Sequence, residues 1–139
     1  MKHDLPRYVL DSFALLACFG AEPGESQVKA ILTRAAAGQA GTYLSVVSHG
    51  EVAYITEREQ GAPATRRALA ALDQLPIKII EADRRTALAA AHVKAHYPIS
   101  YADAFVAALA QQMQAMILTG DPEFGKVEDL VTVEWLPQA

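Results

Sequence analysis

Cysteine is almost absent from this chain. Cys18 is the only one in 139 residues, which excludes an intramolecular disulfide and fits a reducing, cytoplasmic compartment. Basic charge is also scarce: 12 Lys and Arg stand against 16 Asp and Glu, a net charge of −4. A general basic field that coats nucleic acid is therefore excluded, and any contact with RNA or DNA needs a local basic path or a bridging cation. No apolar run approaches the roughly 18 residues of a membrane span. Zinc-type ligand spacing is missing too, since Cys18 stands alone and His92 and His96, four residues apart, have no third ligand nearby. The glycine-rich phosphate loop, the dinucleotide fingerprint and the G-x-S-x-G elbow are all missing.

What is present is enough apolar sequence, 52% of residues, to build a core, and a length that suits one domain spanning 1–139. Lys2 and Arg7 ahead of Leu15-Leu16-Ala17-Cys18 imitate a lipoprotein leader. Asp11 falls inside the would-be apolar region, where a charge costs about 3 kcal/mol on insertion scales. The stretch is read instead as the start of a folded domain, with Cys18 a small buried residue.

Tyr8-Val9-Leu10 is a short apolar run that ends in Asp11-Ser12 and gives way to a helical pattern to about Gly20. Glu22-Pro23-Gly24 is a turn, and Val28, Ile31, Leu32 and Ala35 predict a second helix ending before Gly38 to Gly41. Tyr43-Leu44-Ser45 reads as a strand, followed by helices to about Gln60 and from Pro63 to Pro76. Ile77 to Ile80 is β-branched and predicts a strand. Asp83 and Ser100 are caps for two alanine-rich helices, Met116 to Thr119 is a strand, and Val131-Thr132-Val133 is the last one. Short strands separated by helices predict an α/β fold with a five-stranded parallel sheet flanked by helices.

Four acids fall at strand ends or helix starts: Asp11, Glu51, Asp103 and Asp121. Each has a structural role open to it. Asp11 can cap the next helix; Ser48 to Glu51 and Ser100 to Asp103 both fit a capping box; Asp121-Pro122 fits an N-cap with proline in the first turn. Taken together they gather at the carboxyl edge of the sheet, where open α/β folds place their chemistry. Anions 4 Å apart repel by about 4 kcal/mol at an effective dielectric of 20. A hard cation would relieve that repulsion, and oxygen-only ligands select Mg²⁺ or Mn²⁺.

Asp11-Ser12 after the first strand, Glu51 within Leu44-Ser45-Val46-Val47-Ser48-His49-Gly50-Glu51-Val52, Asp103 within Ser100-Tyr101-Ala102-Asp103-Ala104, and Thr119-Gly120-Asp121-Pro122-Glu123-Phe124 resemble the PIN-domain ribonucleases. Within that family the chain is most similar to the VapC toxins of toxin–antitoxin pairs, over Tyr8 to about Val133. The resemblance implies a Rossmann-like PIN fold, Mg²⁺-dependent (or Mn²⁺-dependent) endoribonuclease activity on RNA, a cognate antitoxin and a homodimer. It assigns Asp11, Glu51 and Asp103 to metal binding, Asp121 to a fourth acidic position, and Ser12 and Thr119 to hydroxyls that orient the acids. Phe13, Leu16 and Phe19 become candidate antitoxin contacts, with an ordinary core role as their alternative.

Lys29, Arg34, Arg58, Arg66, Arg67 and Lys126 are candidates for holding substrate, against the simpler role of solvated surface charge. Tyr101 could stack on a base or sit at the rim of the core. A haloacid-dehalogenase-like phosphatase is excluded because its second aspartate would fall on Phe13. A PIN-like module that binds RNA or protein without cutting remains an alternative.

Overall fold

The computed structural model describes residues 5–137; Lys2, which weighed in the leader reading, lies outside them. The chain runs β1 (Arg7–Leu10), α1 (Ser12–Phe19), α2 (Glu25–Ala36), β2 (Gly41–Ser45), α3 (Val46–Gln60), α4 (Ala62–Asp73), β3 (Lys78–Ile80), α5 (Arg84–His96), α6 (Tyr101–Met113), β4 (Met116–Thr119), a 3-10 turn (Pro122–Val127) and β5 (Val133–Trp135). All four strand pairings are parallel, in the order β3-β2-β1-β4-β5. The five-stranded parallel α/β sheet expected from the sequence is what forms.

The strands bury both faces, as parallel strands under helices do. Along β1, Tyr8 and Leu10 point into one apolar layer with Leu15, Val28, Leu32, Val52 and Leu72. Val9 points into the other, with Val93, Val106, Ala107, Phe124 and Val127. Adjacent β4 splits the same way, Leu118 to the first layer and Ile117 to the second. Helices α1 and α2 thus cover one face, and α5 and α6 the other. Alanines in α6 are nearly all buried, and their small size lets the helix sit close to the sheet.

The chain leaves β1 toward β2 and β3, then returns to the opposite side of β1 for β4. The crevice between the carboxyl ends of β1 and β4 is therefore the topological switch point, the place where such sheets bind ligands. Helix α6 leads into β4 across only Gln114 and Ala115, so it runs back against that strand. Its N-terminus then lies at the same carboxyl edge. Gly61, at φ +89, ends α3 and opens α4 at once, a conformation that disfavours any residue with a Cβ.

Two local expectations are corrected. The last strand is Val133–Trp135, not Val131 to Val133. The N–H groups of Leu130 and Val131 still close onto Val127 O, so the ladder with Ile117 begins only at Val133. The capping box at Ser48 to Glu51 does not form. Ser45, the last residue of β2, already caps α3 by accepting from Val47 N at 3.1 Å. Ser48 is consequently a fully buried helical residue, and Glu51 lies in the second turn. The caps at Asp11, Asp83, Ser100 and Asp121 are as expected.

Candidate active site

Asp11 is the first residue beyond β1, and Thr119 is the last of β4. Because Leu10 pairs with Leu118, the next residue on each strand faces its counterpart across the switch-point crevice. The Thr119 hydroxyl donates to Asp11 Oδ2 at 2.6 Å, and Ala14 N–H donates to Oδ1 at 3.0 Å. Both carboxylate oxygens are thus engaged, and the residue is only 3% exposed. Asp121 N–H in turn donates to Thr119 Oγ1 at 2.9 Å. One hydroxyl therefore ties the end of β1 to the turn after β4, and Asp121 is fixed to it through its own backbone.

Burial pushes the Asp11 carboxyl up from 3.8 to about 7. The two hydrogen bonds oppose that rise, and the charges of Asp103 and Asp121 add to it. Asp103 is raised to about 6, first by desolvation and then by Asp121, with Ser100 opposing and Glu51 and Glu123 contributing. Glu51 is raised by desolvation and by Asp121, while the Ser12 hydroxyl favours its charged form. The charge of Asp121 thus reaches Asp11, Glu51 and Asp103 alike, and Asp103 also feels Glu51, although these acids are far apart in sequence. No basic side chain among the described residues is among the charges acting on Asp11, Glu51 or Asp103.

Most of the candidate cations are occupied elsewhere or turned to solvent, and Lys126 is held by an acid at the edge of the site. Lys29 pairs with Glu25 at 2.7 Å, and Lys126 with Glu123 at 2.8 Å. Arg58 lies over the Tyr54 ring, 5.1 Å from its centroid. Arg34 and Arg66 are exposed, and Arg67 lines a groove described below. Tyr101 is 45% exposed and donates its hydroxyl to Ala87 O. His92 and His96 are exposed neighbours on α5.

The donor chemistry suits a hard divalent ion: carboxylates and hydroxyls only, with an unneutralised negative field. Among the described residues no three acidic, imidazole or thiol groups already surround one point. The arrangement is a set of acids that an ion would draw together. Two features escaped the sequence reading. Glu123 adds its charge to the site, which its place four residues from Thr119 could have signalled. The ring of Phe13 rests on Gly120, between Thr119 and Asp121, a contact across the fold with no local trace.

Beside this edge, α1 and the α3–α4 pair frame a groove of about 480 Å³. Its lining is mixed, with Phe13, Leu16 and Phe19 of α1 on one side and Glu59, Gln60 and Arg67 of α3 and α4 on the other.

Comparison with known proteins agrees with this architecture. No match is found among curated protein sequences. The fold is similar to VapBC2 from Rickettsia felis, solved bound to a DNA fragment from their promoter, with a TM-score of 0.76 and 14% identity over 94% of this chain and 99% of that one. It is similar to VapC20 from Mycobacterium tuberculosis, a sarcin-ricin loop cleaving toxin (TM-score 0.73, 16% identity, 94% and 99% covered). It is also similar to DNA-bound VapBC from Salmonella typhimurium (0.69, 16%, 94% and 98%). The sequence pattern described as PIN domain matches residues 8–130, and with the crevice, topology and acids in place the chain belongs to the PIN-domain family.

Proposed function

We propose that the chain is a Mg²⁺-dependent endoribonuclease and the toxin of a toxin–antitoxin pair. The observation that carries this reading is the gathering of Asp11, Glu51, Asp103 and Asp121 at the switch point, where Asp121 acts on the other three and no basic side chain among the described residues pairs with any of the four. Asp11, Glu51 and Asp103 would hold the ion, with Asp121 completing or supporting the set. When bound, Mg²⁺ (or Mn²⁺) supplies Lewis acidity to the phosphodiester and lowers the pKa of the attacking water. Thr119 and Ala14 hold the Asp11 carboxylate in one orientation. Ser12 steadies Glu51, and Ser100 fixes the first turn that carries Asp103. The raised acids must lose their protons before they ligate, so binding strengthens as pH rises through about 6 to 7.

RNA as substrate is supported by the family and by the cleavage of the sarcin-ricin loop named for VapC20. An antitoxin partner is supported by the VapBC complexes that share the fold. Its apolar side chains would seat in the groove at Phe13, Leu16 and Phe19. A homodimer in a cytoplasmic setting completes the proposal; no helix among the described residues is long and apolar enough to cross a membrane.

A non-cutting binding module is favoured by one observation, that no trio of ligands is preassembled. The test compares RNA cleavage by purified protein in Mg²⁺ and in EDTA, with Asp103→Asn alongside. Cleavage that needs Mg²⁺ and is lost in Asp103→Asn, with the fold intact by circular dichroism, is the expected result. RNA retained without Mg²⁺-dependent product would establish the binding module instead. Asp103→Asn cutting at the wild-type rate would remove Asp103 from the site.

A further inference from the structure

Gly120 is buried between the two residues that anchor the site to β4. Its φ lies outside the left-handed region, so the backbone does not call for glycine there. The space does. A Cβ at this position would stand 2.4 Å from Phe13 Cε1 and 2.7 Å from Cζ, where ordinary contact begins at 3.4 Å. The edge of the Phe13 ring therefore sits where a side chain of residue 120 would be.

The ring belongs to the first turn of α1, two residues after Asp11. Asp11 caps that turn through Ala14 N–H and accepts from Thr119. Thr119 in turn receives Asp121 N–H, and Gly120 joins the two. A closed circuit results: Asp11 to Phe13 along α1, Phe13 to Gly120 by contact, Gly120 to Thr119 along the chain, and Thr119 back to Asp11 by hydrogen bond. Hydrogen bonds alone would leave this circuit open on the apolar side, because none from the described residues reaches Gly120 itself. The ring supplies the missing side.

We infer that Phe13 is a positioning residue, whose ring sets the height of the Thr119–Asp121 turn against Asp11. This rests on the metal-nuclease reading of those acids. Phe13 also lines the groove beside the site, so the same ring borders both.

The test is a double-mutant cycle with Gly120→Ala and Phe13→Leu, read by Mn²⁺ affinity. Calorimetry and Mn²⁺ paramagnetic resonance are run well below each variant's melting temperature. Leucine keeps the apolar bulk of position 13 but lacks the Cε1 and Cζ atoms that face Gly120. Gly120→Ala must move the turn or the ring by about an ångström. Outer-shell displacements of this kind typically lower metal affinity on the order of 10- to 100-fold. Phe13→Leu is expected to weaken Mn²⁺ binding several-fold. The double variant is expected to bind more tightly than Gly120→Ala alone, because the shorter side chain makes room for the methyl group. Wild-type affinity in Gly120→Ala, or losses that simply multiply in the double variant, would overturn the inference while leaving the nuclease reading standing. Wild-type protein that takes up no Mn²⁺ would overturn both.

Discussion

Asp11→Asn should make the metal-free protein more stable while abolishing its metal binding. The Asp11 carboxyl is raised from 3.8 to about 7, with burial as the leading cause. That rise corresponds to roughly 4 kcal/mol against the charged form in the folded protein. Below about pH 4 the group is protonated in the folded chain and largely so in the unfolded one. Between about 4 and 7 the folded protein keeps a proton that the unfolded chain has released, so stability falls as pH rises through this window. Asparagine resembles the protonated acid and never incurs the loss. Its amide oxygen can still accept from Ala14 N–H, and its amide N–H can donate to the Thr119 hydroxyl, though with altered geometry. Allowing for that, a gain of about 2 kcal/mol at pH 8 is expected, or roughly 5–10 °C in Tm. The assay is urea unfolding of both proteins in EDTA at pH 4 and pH 8. Saturating Mg²⁺ should then restore stability to the wild type and not to the variant. If Asp11→Asn is the less stable protein at pH 8, or its advantage is equal at both pH values, burial does not govern this carboxyl as argued.

Two further outcomes follow from hydroxyl groups. Thr119→Val removes the donor to Asp11 Oδ2 and the acceptor of Asp121 N–H; it should cost about 2–4 kcal/mol in chemical denaturation at pH 5, and a smaller cost than that of a surface threonine would contradict the buried link. Ser48→Ala should leave stability unchanged or raise it by up to about 1 kcal/mol, because Ser48 Oγ is buried without a partner; a loss above 1 kcal/mol in the same assay would mean that the hydroxyl is satisfied.

Most of the architecture was legible because its signals are local. The run Tyr8-Val9-Leu10 closed by an acid, the β-branched Ile79-Ile80, and the caps at Asp83 and Ser100 each state their structure within a few residues. What failed was competition between adjacent signals. Ser45 and Ser48 are both caps by composition, and only the position where β2 stops decides between them. Val131 has a strand's side chain, but its N–H is already committed to Val127 O. At the site, the four acids could be named from their places at strand and helix ends. Their gathering at one edge and mutual repulsion could be anticipated too; the burial that leads the rise of Asp11 and Asp103 could not, since it depends on how the helices close over the strand ends. The seat of Phe13 on Gly120 is a contact across more than a hundred residues, and neither residue announces it.

The central position of β1 has a consequence for how the protein is made. Its first edge can pair with β2 as soon as residue 45 is available, but the other must wait for β4. Chains grow from the N-terminus and fold in part as they emerge. Asp11 therefore leaves the ribosome well before its hydroxyl partner, which is synthesised 108 positions later. On the proposed function, a nascent chain carries no assembled nuclease until Thr119 has been made, and a fragment that ends before Met116 lacks both β4 and the hydroxyl that holds Asp11. The order of strands thus acts as a timer, which withholds the assembled acid site until the strand on the far side of β1 has been made.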